Sequence, residues 1–194
     1  MLATDFLESS TKQFAYYKSL GDRSFEQQSA EQLFIAPNDQ SNSIAVIVNH
    51  LHGNMLTRWT HLLTTDGEKE SRKRDQEFEA IIKDAPDMFS KWEQGWKVLF
   101  DALDQVDEPN IDKLVYIRNQ GHSIVEAVQR QLCHYAYHVG QIVFYAKILK
   151  VDNTFNSLSI PKGGSMAYNK DKFSAPKSKT HFTDEYLNTD NKNG

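Results

Sequence analysis

Apolar side chains recur every three or four residues through four stretches of the chain, the spacing that gathers them on one face of an α-helix. The first carries Phe6, Phe14, Tyr17 and Leu20, with Gly21 standing where such a helix would stop. The second carries Ile44, Ile47, Val48, Leu51, Met55, Trp59 and Leu62 behind the N-cap candidates Ser41, Asn42 and Ser43. The third opens near Pro86, continues through Phe89, Trp92, Trp96, Leu99, Phe100 and Leu103, and is closed by Asp107, Glu108 and Pro109. The fourth and longest begins at the capping-box pair Ser123 and Glu126 and runs from Ile124 through Leu132, Val139, Ile142 and Val143 to Leu149.

The intervening segments are shorter and more polar. Ser29 and Gln32 form a second capping-box pair, but Pro37 leaves room behind it for only a short helical turn. Residues 66–79, DGEKESRKRDQEFE, open on an Asp-Gly turn signal and read as a connection dense in charge. No alternating strand pattern is longer than residues 114–117. Beyond Val151 the periodicity fades among Pro161, Gly163, Gly164 and Pro176. The expectation is an all-α four-helix bundle over residues 1–150, followed by an irregular C-terminal extension over residues 151–194.

Composition narrows the setting. At 194 residues and 39% hydrophobic content, the chain suits a single core. It has no run of about 20 apolar residues that would span a bilayer, so no membrane role is expected. The start of the chain lacks the pattern of an export signal, and the single cysteine, Cys133, has no partner for an internal disulfide. Together these suggest the cytoplasm. The net charge of -4 is mixed along the chain and implies no basic track for nucleic acid.

The candidate chemistry lies in histidines. His134 and His138 are four residues apart on the fourth helix, separated by about 40° of rotation and roughly 6 Å of rise, so they can share one metal ion. Gln141 and Tyr145 continue the same stripe and would offer hydrogen-bonding groups beside it. A third ligand must come from another helix. The second offers His50 and His52 on opposite flanks of its apolar face, and His61 on the stripe of His50 about 16 Å further along; periodicity does not choose among them.

At these residues the chain resembles the DinB/YfiT-like superfamily of four-helix metalloenzymes, over roughly residues 1 to 150. The second-helix motif reads Asn49-His50-Leu51-His52 with Trp59 two turns on, and the last-helix motif reads His134-Tyr-Ala-Tyr-His138-Val-Gly140-Gln141. The resemblance implies His50, His134 and His138 as ligands of one divalent metal. Two further stretches, Thr64 to Glu68 with Arg72 to Glu79, and Leu158 to Ser165, resemble a subgroup of unassigned function. Many members carry an acidic or amide residue one turn after the second-helix histidine. Here it is Asn54, an orienting group rather than a strong base.

Three imidazoles and an open coordination position suit catalysis, and zinc or nickel suits such ligands best, with iron or manganese as further options. The resemblance implies metal-assisted hydrolysis or transfer of a small-molecule thiol to an electrophile, with Asn54, Gln141 or Tyr145 positioning the reactants. The alternative is a non-catalytic metal-binding or stress-response protein. Family members pair, which implies a homodimer through an apolar helix face. Of the remaining candidates, Cys133 and the Trp92, Trp96, Phe100 stripe are assigned to packing, and His61, His122 and His181 to surface or cap positions. Arg72, Arg74 and Asp75 are read as solvated charges, with an anion-binding role as the alternative. Lys162 to Ser165 are read as a strap, with an anion-holding backbone nest as the alternative.

Overall fold

The computed structural model describes residues 2–150 and 154–187. Four long helices dominate: α1 (Leu2–Phe25), α2 (Ile44–Trp59), α3 (Ala85–Leu103) and α4 (Ile124–Leu149). A two-stranded hairpin, β1 (Leu114–Ile117) and β2 (Gln120–Ser123), leads into α4, and two short helices follow it, α5 (Ser165–Ser174) and α6 (Asp184–Leu187). The architecture is an all-α helical bundle. Among the described residues no helix is long and apolar enough to cross a membrane.

The helix starts follow local chemistry. The Ser43 hydroxyl accepts from the Val46 amide, Asp84 accepts from the Asp87 amide ahead of Pro86, and Ser123 and Glu126 close a reciprocal capping box. Ser29 and Gln32 make the same reciprocal pair at 2.8 and 3.3 Å, and only the 3-10 turn Gln32–Phe34 follows. The helix ends depart from the expected positions. Helix α2 stops at Trp59, and His61 takes a left-handed φ of 53° in the turn that follows. Helix α1 runs through Gly21 to Phe25, because Gly21 is a packing notch rather than a cap: a Cβ there would lie 2.4 Å from Cζ2 of Trp92.

Helix α1 packs chiefly on α4, and α2 chiefly on α3. The two pairs meet around four aromatic rings, one from each helix. Phe14 lies edge-on to Trp59 and Trp96 at 6.2 and 6.5 Å and 5.9 Å from Tyr135, while Trp96 and Tyr135 are 5.8 Å apart. Buried Tyr135 accepts a hydrogen bond from Trp59 Nε1 at 2.9 Å and donates to Asn54 Oδ1 at 3.0 Å. The tryptophan stripe of α3 is therefore core, as its spacing implies. Cys133 is not: its position on α4 is exposed.

The hairpin turns at Arg118 and Asn119, both with left-handed φ, 54° and 60°, the geometry of a two-residue type I′ turn. Asn119 suits that conformation and Arg118 does not. Asp66 offsets the cost, its carboxylate accepting from the amides of Arg118 and Asn119 at 2.8 Å each and of Glu68 at 2.7 Å. The segment beyond residue 153 is more ordered than its composition suggests. Asn156 and Gln27 exchange hydrogen bonds, Lys12 pairs with Asp184 at 3.1 Å, His181 meets Ser9 at 3.0 Å, and Tyr16 packs on Phe182 and Tyr186. Residues 161–164 close a turn, Gly164 N to Pro161 O at 2.9 Å, that leads into α5.

Candidate metal centre

Helix α2 brings His50 against His134 and His138 of α4, and the candidate ligand atoms all lie within 4.8 Å of one another. Nε2 of His50 is 3.3 Å from Nε2 of His134. Four-coordinate zinc, with metal–nitrogen distances of about 2.0–2.1 Å, sets its ligand atoms about 3.3 Å apart, so the His50–His134 pair stands at the spacing such an ion requires.

The outer nitrogens fix which atoms face inward. His50 Nδ1 lies 2.9 Å from Glu77 Oε2, an acceptor that obliges Nδ1 to carry the proton and leaves a lone pair on Nε2. His138 Nδ1 lies 2.9 Å from Gln141 Oε1, with the same consequence. Lone pairs converging at this separation repel one another unless a proton or a cation lies among them. Burial, together with the mutual repulsion of the imidazoles, lowers the pKa of His134 to about 3 and that of His138 to about 4, so both are neutral near pH 7. Neutral imidazoles whose second nitrogen is hydrogen-bonded to an acceptor are the ligand form that metal centres use.

Glu77 is the residue that sequence reading missed. It sits in the 3-10 turn Arg74–Phe78, within the segment read as a charged connection, and its side chain is 8% exposed. Arg72 grips it with two hydrogen bonds, Nε to Oε1 at 2.7 Å and Nη2 to Oε2 at 2.8 Å, and itself is buried to 4% side-chain exposure. Arg72 is therefore not the solvated charge expected. It is enclosed because Glu77 and Glu68 neutralise it, and Glu68 in turn pairs with Arg58 at 2.9 Å. These cations hold the carboxyl groups of Glu77 and Glu68 below the usual range despite burial, which acts the other way. Gly53 lets the turn approach α2: a Cβ there would lie 2.5 Å from Glu77 Oε1. The one aromatic residue of the connection, Phe78, stacks on the His50 ring at 4.6 Å and was the available signal that this turn docks.

The remaining candidates divide. Asn54 lines the cavity of about 340 Å³ that holds the three histidines; with its carbonyl oxygen engaged by Tyr135, its amide nitrogen is the group left to serve that space. Gln141 reaches the site through His138, whereas Tyr145 is buried two turns beyond and does not line the cavity. His52 faces a different cavity on the other flank of α2, against Gly53, and bonds Gln94 at 2.8 Å. His61 and His122 are also outside the site: His122 bonds the Gln120 carbonyl and Arg130.

Residues 1–164 match the family described as Protein of unknown function (DUF1572). Compared with the curated proteins and with the solved structures, the chain matches none.

Proposed function

We propose that this chain, which belongs to the DUF1572 family of proteins of unknown function, is a DinB-like, divalent-metal-dependent enzyme of the hydrolase or thiol S-transferase kind. The observation that carries the reading is the convergence of His50, His134 and His138, with the outer nitrogens of His50 and His138 committed to Glu77 and Gln141. Zinc and nickel fit this all-imidazole set best. A divalent ion so held supplies Lewis acidity, polarising a carbonyl oxygen or acidifying a water or thiol.

The protein's part is positioning. Glu77 keeps the His50 proton on Nδ1 and, held by Arg72, fixes the ring's orientation. Phe78 covers one face of that ring and restricts water there. The Asn54 amide nitrogen is a donor for a substrate oxygen, held in place because Tyr135 restrains the other end of the amide.

The test is elemental analysis of the full chain purified without an affinity tag and then equilibrated with zinc or nickel. About one ion per chain is expected, lost in His50→Ala, His134→Ala and His138→Ala. Failure of the folded wild type to bind either metal overturns the reading. Turnover of electrophile–thiol pairs or of simple amides by the loaded protein separates transferase from hydrolase, and inactivity on both favours a non-catalytic metal-binding protein.

A further inference from the structure

The chain has six arginines: Arg23, Arg58, Arg72, Arg74, Arg118 and Arg130. Five of them, all but Arg23, line the cavity that holds the three histidines, and none of the lysines among the described residues does. This concentration stands against a net charge of -4 for the whole chain, so it is not the local expression of a basic protein.

The selection of arginine over lysine is chemically specific. A guanidinium offers a planar fork of donors matched to two oxygens of a carboxylate or phosphate, whereas an ammonium is a point charge. Some of these forks are already used within the protein. Arg72 is committed to Glu77 and Glu68, Arg58 to Glu68, and Arg118 approaches Glu68 at 3.4 Å. Two carboxylates thus serve three arginines, and among the described residues no carboxylate lines the cavity.

Arg74 and Arg130 are different. Among the described residues neither has a carboxylate partner: Arg74 lies over the Phe78 ring at 5.2 Å, and Arg130 bonds His122 Nε2 at 3.2 Å. Both are exposed, one on the turn that carries Glu77 and the other on α4 one turn before His134. Among the described residues the Nε of buried Arg58 also has no hydrogen-bond partner. The surplus of positive charge therefore sits at the same cavity as the candidate metal ligands, where a divalent ion would add to it.

We propose that the substrate of this site is a small molecule bearing an oxyanion, a carboxylate or a phosphate, which Arg74 and Arg130 capture at the cavity while its reacting group lies toward the three histidines. The proposal rests on the metal-site reading for the second half of that statement; the capture of the anion is separable from it. A cavity of about 340 Å³ is of the size that small-molecule sites have.

The test is calorimetric titration of the full chain, with and without bound zinc, using inorganic phosphate in one series and succinate in another. Wild type is expected to bind at least one probe, and Arg74→Gln and Arg130→Gln are each expected to weaken that binding about tenfold, the loss of one charge-assisted pair. Arg74→Lys should recover only part of it, because charge returns without the fork. Zinc affinity measured on the same variants is expected to change by less than about threefold, since both arginines are exposed and screened. The series that binds more tightly identifies the anion as phosphate or carboxylate.

If neither probe binds, or if both glutamine variants bind as wild type does, the proposal is overturned. Binding that requires zinc and ignores the arginines also overturns it, while leaving the metal site intact. Anion binding that depends on the arginines in a protein unable to hold zinc retains the anion site and removes the metal reading instead.

Discussion

Glu77 Oε2 lies 2.9 Å from His50 Nδ1 across 27 residues of sequence, and that contact joins the charged connection to the candidate metal centre. An acceptor in this position fixes the tautomer and raises the basicity of the ligating nitrogen. Glu77→Gln keeps the shape of the side chain but removes its charge, and is expected to lower zinc affinity about 10- to 100-fold. Gly53→Ala should act in the same direction by displacing the carboxylate, since a Cβ would lie 2.5 Å from Oε1. Competition titration against a chromogenic chelator measures both; unchanged affinity in both variants would remove Glu77 from the site.

Acid should destabilise the metal-free protein through the triad. His134 and His138 titrate at about 3 and about 4 in the folded chain, whereas an unfolded histidine titrates near 6.5. Between those values the unfolded state binds protons that the native state refuses, so stability falls as the pH drops below about 6.5. Urea unfolding of the chelator-treated protein at pH 7.5, 6 and 5 is expected to show this decline. A flatter profile in His138→Gln would assign part of it to that residue, and an identical profile would not.

Tyr135→Phe is expected to destabilise the fold by about 1–3 kcal/mol, because it leaves Trp59 Nε1 and Asn54 Oδ1 buried without a partner. Chemical denaturation gives the value. The replacement also frees the Asn54 amide to rotate, so an active protein should lose turnover beyond what its loss of stability explains.

Gly21→Ala removes a poor helix former, which by itself would favour α1 by about 1 kcal/mol. The added methyl would meet the Trp92 indole, whose Nε1 is anchored to Asp22 at 2.6 Å, so a net destabilisation of about 1–3 kcal/mol is expected. A thermal melt that shows Gly21→Ala more stable than wild type would contradict the packing role assigned to this glycine.

These residues also mark how far sequence alone could reach. The four helices and the pairing of His134 with His138 follow from local periodicity, because neighbours three or four residues apart share a face wherever the helix is placed. The same local rules could not rank His50 against His52, since that choice depends on which flank of α2 meets α4; His52 instead meets Gln94 of α3. Gly21 reads as a stop signal until Trp92, 71 residues later, is known to fill the space beside it. Arg72 and Glu77 are a further case. In a run of alternating charge each looks solvated, and only the distant His50 and the notch at Gly53 make their burial intelligible.

Asp66 bears on ligand capture through entropy rather than charge. By holding the amides of both turn residues of the hairpin, it fixes the backbone from which Arg118 projects to the cavity. A ligand captured by Arg74 and Arg130 meets this part of the cavity wall already ordered, so less of its interaction energy is spent on ordering the protein.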